Sequence, residues 1–436
     1  MPPYDASSRD GRRDLSPQGA PPCQGLLPHV SAEPRVRIGL SARFRTFSGR
    51  SRAEAPVSRR PSRRLCTALV ALLASAALFA AGHASASGSS SAGSSYCKFK
   101  NHRFSGKWAF VGIAAPDVQN NSQPYRACTF GRMAADHIGM YRYDMDWIGV
   151  EYRPGVFNWS HYDAIMTELA LHNVKFLPIL MSPPPFRSAG PPGRNGYPPK
   201  HVADFARFAS LAVRRYGPRG TFWRMHPGLP RDPIRSWQIW NEPSLPVFWE
   251  PKPNALAYTR LLRAAYQAIK RVDPSAEVVT AGIPWYAIGK FAQKYYTEMF
   301  RDGAGRYFDA LAFHAYAPTP SESIARVIAV RKLLDRFGLQ RKALWVTEWG
   351  WADSGPAFPY VAGRKQVPYT EQFLRWIGRN RFRYGIQKIF YYCWRDAHPV
   401  PPNKDWWGNH MGIYRWNLSP KPVAAVLARF AAQLDQ

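Results

Sequence analysis

The chain has 436 residues, 46% hydrophobic and 20% charged, which excludes a lone small module and a wholly disordered chain. Its net charge of +30 invites a nucleic-acid reading, but residues 1–64 supply +8 of it and the rest is scattered, with no Lys/Arg block of five. No zinc-finger, RNP or basic-zipper pattern accompanies that charge, so no nucleic acid is expected. A solvated basic surface, or attraction to an anionic glycan or the cell envelope, accounts for it instead.

Residues 1–64 are rich in Arg, Ser and Pro and lack apolar periodicity, so they read as a disordered tail or a start-site artefact. Ser58-Arg59-Arg60-Pro61-Ser62-Arg63-Arg64 then precedes 17 uncharged residues, Leu65 to Ala81, followed by Ala84-Ser85-Ala86. A positive flank, an apolar stretch and small residues make 65–86 a signal peptide or, if uncleaved, a membrane anchor. The protein is therefore expected to be secreted, or held at the outer face of the membrane. Translation is expected to start near Val57 rather than Met1. Residues 87–104 form a linker that opens with a Ser/Gly run. Export permits disulfides: Cys97 and Cys128 could staple the N-terminus, and Cys393 reads as a buried thiol, but sequence leaves the pairing open.

From 105 to 436, short apolar runs alternate with helical patterns. Strands are expected at 108–114, 138–144, 174–181, 235–241, 277–283, 308–316, 343–349 and 386–394. Helices are expected at 124–136, 160–172, 200–216, 255–272, 287–301, 321–337, 368–383 and 420–434. Eight strand–helix pairs indicate a parallel sheet closed as a (β/α)8 TIM barrel. The competing open, doubly wound sheet usually carries a Gly-rich phosphate turn after its first strand, and Gly112-Ile113-Ala114-Ala115-Pro116 is not one.

Chemistry in such a barrel belongs at the C-terminal ends of the strands. The fourth strand runs into Asn241-Glu242-Pro243 and the seventh into Thr347-Glu348-Trp349. These strands stand on opposite sides of the ring, so the two carboxylates can face one another across the mouth. An ionised Glu348 on an apolar strand would be costly without partners, which argues for a role beyond packing. Paired carboxylates suit glycosidic bond cleavage, where the leaving oxygen needs a proton and the anomeric carbon needs a negative partner. One must be protonated and the other ionised; Arg142, at the end of the second strand, is placed to hold the second as the anion.

Trp237-x-Ile-Trp-Asn-Glu-Pro243, His314-x-Tyr316, Thr347-Glu-x-Gly-Trp351, the turn Glu151 to Trp159 and the strand-eight Trp394 together resemble the retaining glycoside hydrolases of clan A, families 5 and 39 in particular. The resemblance covers residues 105 to the end. It implies a double-displacement mechanism on a polysaccharide or oligosaccharide, with Glu242 as acid/base and Glu348 as nucleophile. It further implies that Asn241 bonds the sugar 2-hydroxyl, that His314 and Tyr316 sit near the nucleophile, that Arg142 braces it, and that Trp394 floors the sugar site. The runners-up are a glycan-binding pseudoenzyme and a basic envelope- or nucleic-acid-binding protein. No H-E-x-x-H, C-x-x-C, Walker A or G-x-S-x-G motif occurs, and the mechanism needs no cofactor and no metal. Long Pro/Gly-rich loops after the third, fourth, seventh and eighth strands are expected to wall the cleft.

Overall fold

A computed structural model of the chain describes residues 95–106, 109–285, 291–356 and 360–435. The tail, the signal segment and residues 87–94 of the linker lie outside the described residues. Among the described residues no helix is long and apolar enough to cross a membrane.

Eight parallel strands close into a barrel: β1 (Val111–Ala114), β2 (Met140–Asp146), β3 (Lys175–Met181), β4 (Ser236–Ile239), β5 (Glu277–Val279), β6 (Ala310–His314), β7 (Ala343–Trp349) and β8 (Ile386–Tyr392). Going round the ring the order is β1-β8-β7-β6-β5-β4-β3-β2, and β2 pairs with β1 to close it. Each strand is covered on both faces, which is why β7 can be buried along its whole length and reads as an unbroken apolar run.

The helices α1 (Gln123–Ala135), α2 (Ser160–His172), α3 (Val202–Tyr216), α4 (Ala255–Val272), α5 (Phe291–Arg301), α6 (Pro320–Arg336), α7 (Gln366–Asn380) and α8 (Pro422–Asp435) form the outer ring. In α3 the buried residues Phe205, Phe208, Ala209, Ala212, Val213 and Tyr216 recur at helical spacing and face the sheet. Caps fix the starts: Asn254 Oδ1 accepts from Ala257 N at 2.9 Å before α4. Before α6, Thr319 Oγ1 accepts from Glu322 N and donates to Glu322 Oε1, with Pro320 in the first turn.

Two elements escaped the sequence reading. Glu151–Arg153 and Val156–Phe157 form a short antiparallel ribbon turned at Gly155, whose φ is +80°. Buried Glu151 organises it by accepting from Trp147 Nε1, Gly155 N and Arg187 Nη2. A short helix, Thr221–Met225, follows α3.

Cys97 and Cys128 form a disulfide, and Cys393 is a buried free thiol. The bridge ties the N-terminal segment to α1 and sets Tyr96 against the barrel wall, where its hydroxyl bonds Thr129 Oγ1 at 2.7 Å.

Candidate active site

The chain turns sharply where β4 ends. Trp240 and Glu242 both have positive φ, +69° and +42°, a conformation that costs a non-glycine residue on the order of 1–3 kcal/mol. Neighbouring bonds hold them there: Trp240 N donates to Leu180 O, Trp240 Nε1 to Phe248 O, and Glu242 N to Gly282 O. The kink aims Glu242 into the mouth. Glu348 arrives near the end of β7, paired with His314 of β6 just past a register shift between Phe313 and His314.

One oxygen of Glu242, one of Glu348 and one ring nitrogen of His314 lie within 4.8 Å of one another. The two carboxyls have different surroundings. Glu348 Oε1 accepts from Arg142 Nη1 at 2.8 Å, and Oε2 accepts from the Tyr316 hydroxyl at 2.8 Å. Among the described residues Glu242 has no guanidinium or hydroxyl partner. Its Oε1 stands 2.7 Å from His314 Nδ1. Burial and the charge of Glu348 push the Glu242 carboxyl well above the usual carboxylate range, with Arg142 acting weakly the other way.

Arg142 is buried and spends its fork on three elements. Nε donates to Gln238 Oε1 at 2.8 Å, Nη1 to Glu348, and Nη2 to Asn241 Oδ1 at 3.0 Å. Gln238 is itself fixed by its Nε2, which donates to Thr280 O at 3.1 Å. With its oxygen taken, Asn241 has its amide N–H groups left to donate outward.

His314 sits between the acids. Burial, with Arg142 close by, lowers its imidazole well below the ordinary range, so it is neutral and carries one ring proton. Nε2 approaches Glu348 Oε1 to 3.4 Å and has no hydrogen-bond partner. A proton on Nδ1 would leave the Nε2 lone pair facing an anion. A proton on Nε2 avoids that and makes Nδ1 the acceptor of a proton held by Glu242. The geometry thus favours a neutral Glu242 beside an ionised Glu348. His314 fits only because Gly282 is opposite: a Cβ there would stand 1.9 Å from Nε2.

The three ligand atoms of Glu242, His314 and Glu348 are close enough to hold a divalent cation. Under that protonation, however, Glu242 is uncharged, His314 Nδ1 is taken up by the Glu242 proton, and Arg142 and Tyr316 already bond Glu348. The donor set is organised for proton traffic.

Six of the seven sequence-selected residues therefore converge: Arg142, Asn241, Glu242, His314, Tyr316 and Glu348. Trp394 does not join them. It is fully buried, donates its indole N–H to Tyr96 at 2.8 Å and packs on the Tyr414 ring at 4.7 Å. β8 ends at Tyr392, and two residues later Trp394 N bonds Ala114 O at the end of β1. Tyr392 is the β8 aromatic that faces the site: burial raises its hydroxyl well above the ordinary range, and the charges of Glu348, Glu242 and Asp144 add to that rise.

Gln238, Asp144 and Gly282 were also missed. A glutamine inside the apolar run of β4 was a visible signal, since an internal polar side chain needs partners. Asp144 lies near the end of β2, two residues after Arg142; burial and then Asp146 push its carboxyl well up, Arg142 opposes this, and Glu348 adds to it.

The rim is tied together. Glu250 N donates to Gly196 O, and Arg194 pairs with Glu250, joining the loops after β3 and β4. Buried Lys421 Nζ binds Asp353 and Asp396, each at 2.8 Å, and joins the loops after β7 and β8. Trp407 packs on Tyr360 and Tyr316, which carries an aromatic corner down to Glu348.

Residues 237–407 match the family model described as the glycosyl hydrolase catalytic core. Solved structures share the barrel. A family 39 glycoside hydrolase from Bacteroides cellulosilyticus is 20% identical with a TM-score of 0.56, over 76% of this chain and 64% of that one. This chain therefore spans a little under two thirds of that relative. A monomeric beta-xylosidase from Caulobacter crescentus is 18% identical at TM-score 0.57, over 76% and 70%. A GH5_18 protein from Bifidobacterium longum, in complex with Manb1-4GlcNAc, is 8% identical at TM-score 0.55, over 74% and 78%. No curated protein matches the sequence.

Proposed function

We propose that the barrel is the catalytic domain of an exported, retaining glycoside hydrolase that cleaves O-glycosidic bonds of a polysaccharide or oligosaccharide by double displacement. The observation that carries this reading is the pair of glutamates within 4.8 Å in unequal surroundings. Retaining enzymes hold their carboxyls about 5–5.5 Å apart, whereas inverting ones need about 6.5–9.5 Å to admit water.

In the first step Glu348 attacks the anomeric carbon while Glu242 gives its proton to the departing oxygen. The covalent ester forms as the glycosidic bond breaks. Arg142 and Tyr316 bond Glu348 and aim it, and those bonds weaken as its electron pair passes into the ester. In the second step Glu242, now a carboxylate, takes a proton from water, and the resulting hydroxide displaces Glu348. Losing the negative charge of Glu348 to the ester removes one cause of the raised Glu242 affinity for protons, which suits Glu242 to become a base at that moment. Asn241 donates to the hydroxyl next to the anomeric carbon, and Tyr392 takes the position under the sugar that Trp394 was expected to fill. The apolar stretch from Leu65 to Ala81 supports export.

A screen of arylglycosides and polysaccharides with wild type, Glu348→Gln and Glu242→Gln tests the reading. Expected are reducing-sugar release by wild type, none by Glu348→Gln, and turnover by Glu242→Gln only with leaving groups that need no proton. Undiminished hydrolysis by Glu348→Gln would end the assignment.

A further inference from the structure

A second cavity, of about 410 Å³, opens at the far end of the barrel from the two glutamates. It lies where α3 and α4 end, and helices of a (β/α)8 barrel end at the face where the strands begin. Arg214, Arg219, Arg224 and Arg271 line it, with Thr221 and one acid, Asp273.

Helix polarity explains part of this. A cation in the last turn offsets the negative helix end, which accounts for Arg214 and Arg271. It does not account for Arg219, which comes from the connecting loop, and it accounts only weakly for Arg224, in the last turn of a helix of five residues. Nor does it explain why the cluster is left uncompensated. The adjacent Arg215 shows the ordinary solution, a pair with Asp163. Arg214 and Arg271 have no hydrogen bond or ion pair with any described residue. Asp273 Oδ1 accepts from Ser275 N and Oγ instead of an arginine. Arg219 and Arg224 each use one nitrogen on a backbone carbonyl, Val272 O at 2.8 Å and Arg219 O at 3.0 Å, which fixes their direction and leaves other N–H groups free.

The cavity therefore gathers four solvent-exposed guanidiniums around one carboxylate, a surplus of charge that a multiply charged anion would offset. Guanidinium forks match tetrahedral phosphate, with two parallel N–H···O bonds each. No aromatic side chain lines the cavity, so nucleobases would find no surface to stack on. A uronic-acid chain offers one carboxylate per ring, too sparse a charge for four arginines in this volume.

We propose that this cavity binds clustered phosphate groups of a phosphate polymer and so holds the protein by the end opposite its catalytic mouth. The polymer is a chain of inorganic phosphates, since a polyol-phosphate chain, with one charge per repeat, is as sparse as a uronic-acid chain. Docked this way, the mouth faces outward and stays open.

The test is calorimetric titration of the folded protein with sodium tripolyphosphate and, separately, poly(glycerol phosphate), at about 50 mM salt, where screening is weak. Binding of tripolyphosphate is expected. Tighter binding of poly(glycerol phosphate) than of tripolyphosphate would overturn the proposal. Arg214→Gln and Arg271→Gln are each expected to weaken binding about tenfold, with unchanged circular dichroism, because neither leaves a partner behind. Arg153→Gln, on the ribbon at the other end, is expected to change nothing. Unchanged binding in the Arg214→Gln/Arg271→Gln double variant would overturn the proposal. So would absence of binding by both probes, or tighter binding of alginate or duplex DNA than of tripolyphosphate at equal salt. None of these readouts depends on glycosidase activity.

Discussion

The two ends of this barrel solve opposite electrostatic problems. At the mouth, Glu242, Glu348 and Asp144 crowd around one guanidinium, that of Arg142. At the far end, four guanidiniums surround one carboxylate, Asp273. The mouth compensates internally: Arg142 distributes three bonds, Tyr316 adds a fourth, and burial keeps protons on the acids that get no partner. The far end does not compensate, and its arginines project into an open cavity. A site that does proton chemistry must hold its charges in balance, while a site that waits for an anion can leave them unpaired.

That contrast can be broken in graded steps. The largest effect belongs to Glu348→Gln, which removes the attacking group and should lower kcat by on the order of 10⁴-fold or more in a steady-state assay. Arg142→Met comes next. It takes the cation from Glu348 and the anchor from Asn241, and kcat should fall by roughly 10²–10³-fold. Protein that folds and turns over at the wild-type rate would show that Arg142 is packing and nothing more. Gly282→Ala should cost about 10²-fold through displacement of His314, since a group shifted by an ångström loses that much. Its diagnostic is the pH profile: with His314 displaced, the alkaline limb that reports Glu242 should move, whereas a merely destabilised fold would lower the rate at every pH.

The smallest effect concerns stability. Glu242 titrates higher in the folded protein than in the unfolded chain, where a glutamate lies near about 4.3. The folded state thus binds the proton more tightly, and stability falls as pH rises above that value until the folded carboxyl has itself ionised. Glu242→Gln, which cannot ionise, should raise the melting midpoint at neutral and alkaline pH by a few degrees and leave it unchanged below about pH 4. A gain that is the same at pH 4 and pH 8 would mean that Glu242 is not held neutral by its surroundings.

Much of this was legible in the residues because two periodicities dominate. Apolar runs such as 343–349 and helical stripes such as 255–272 survive in the structure as β7 and α4, with those same bounds. The glutamates were found because ionisable groups at the ends of buried strands have few structural uses. Boundaries at the mouth were less legible. The run 277–283 looked like one strand, yet β5 stops at Val279, because Ala281, Gly282 and Ile283 leave the ladder to bond Tyr258, Glu242 and His314. Trp394 was misplaced for a related reason. Its distance along the strand pointed to the mouth, but Tyr96, 298 residues away in sequence, captures its indole N–H. The ribbon at 151–157 depends on a buried Glu151 reaching Arg187 across the next loop, a contact no local pattern encodes. The arginine cavity was hidden likewise, since Arg214, Arg224 and Arg271 meet only after α3 and α4 pack side by side.

The central claim is that Glu348 forms a bond to sugar while Glu242, in its different surroundings, handles the proton. Incubation with a panel of dinitrophenyl 2-deoxy-2-fluoroglycosides, followed by peptide mass spectrometry, tests this directly. The account predicts a single fluorosugar ester on the peptide containing Glu348, formed at a rate that Glu242→Gln leaves intact. Turnover of an arylglycoside that gives the inverted anomer, or an ester on any other side chain, would contradict it.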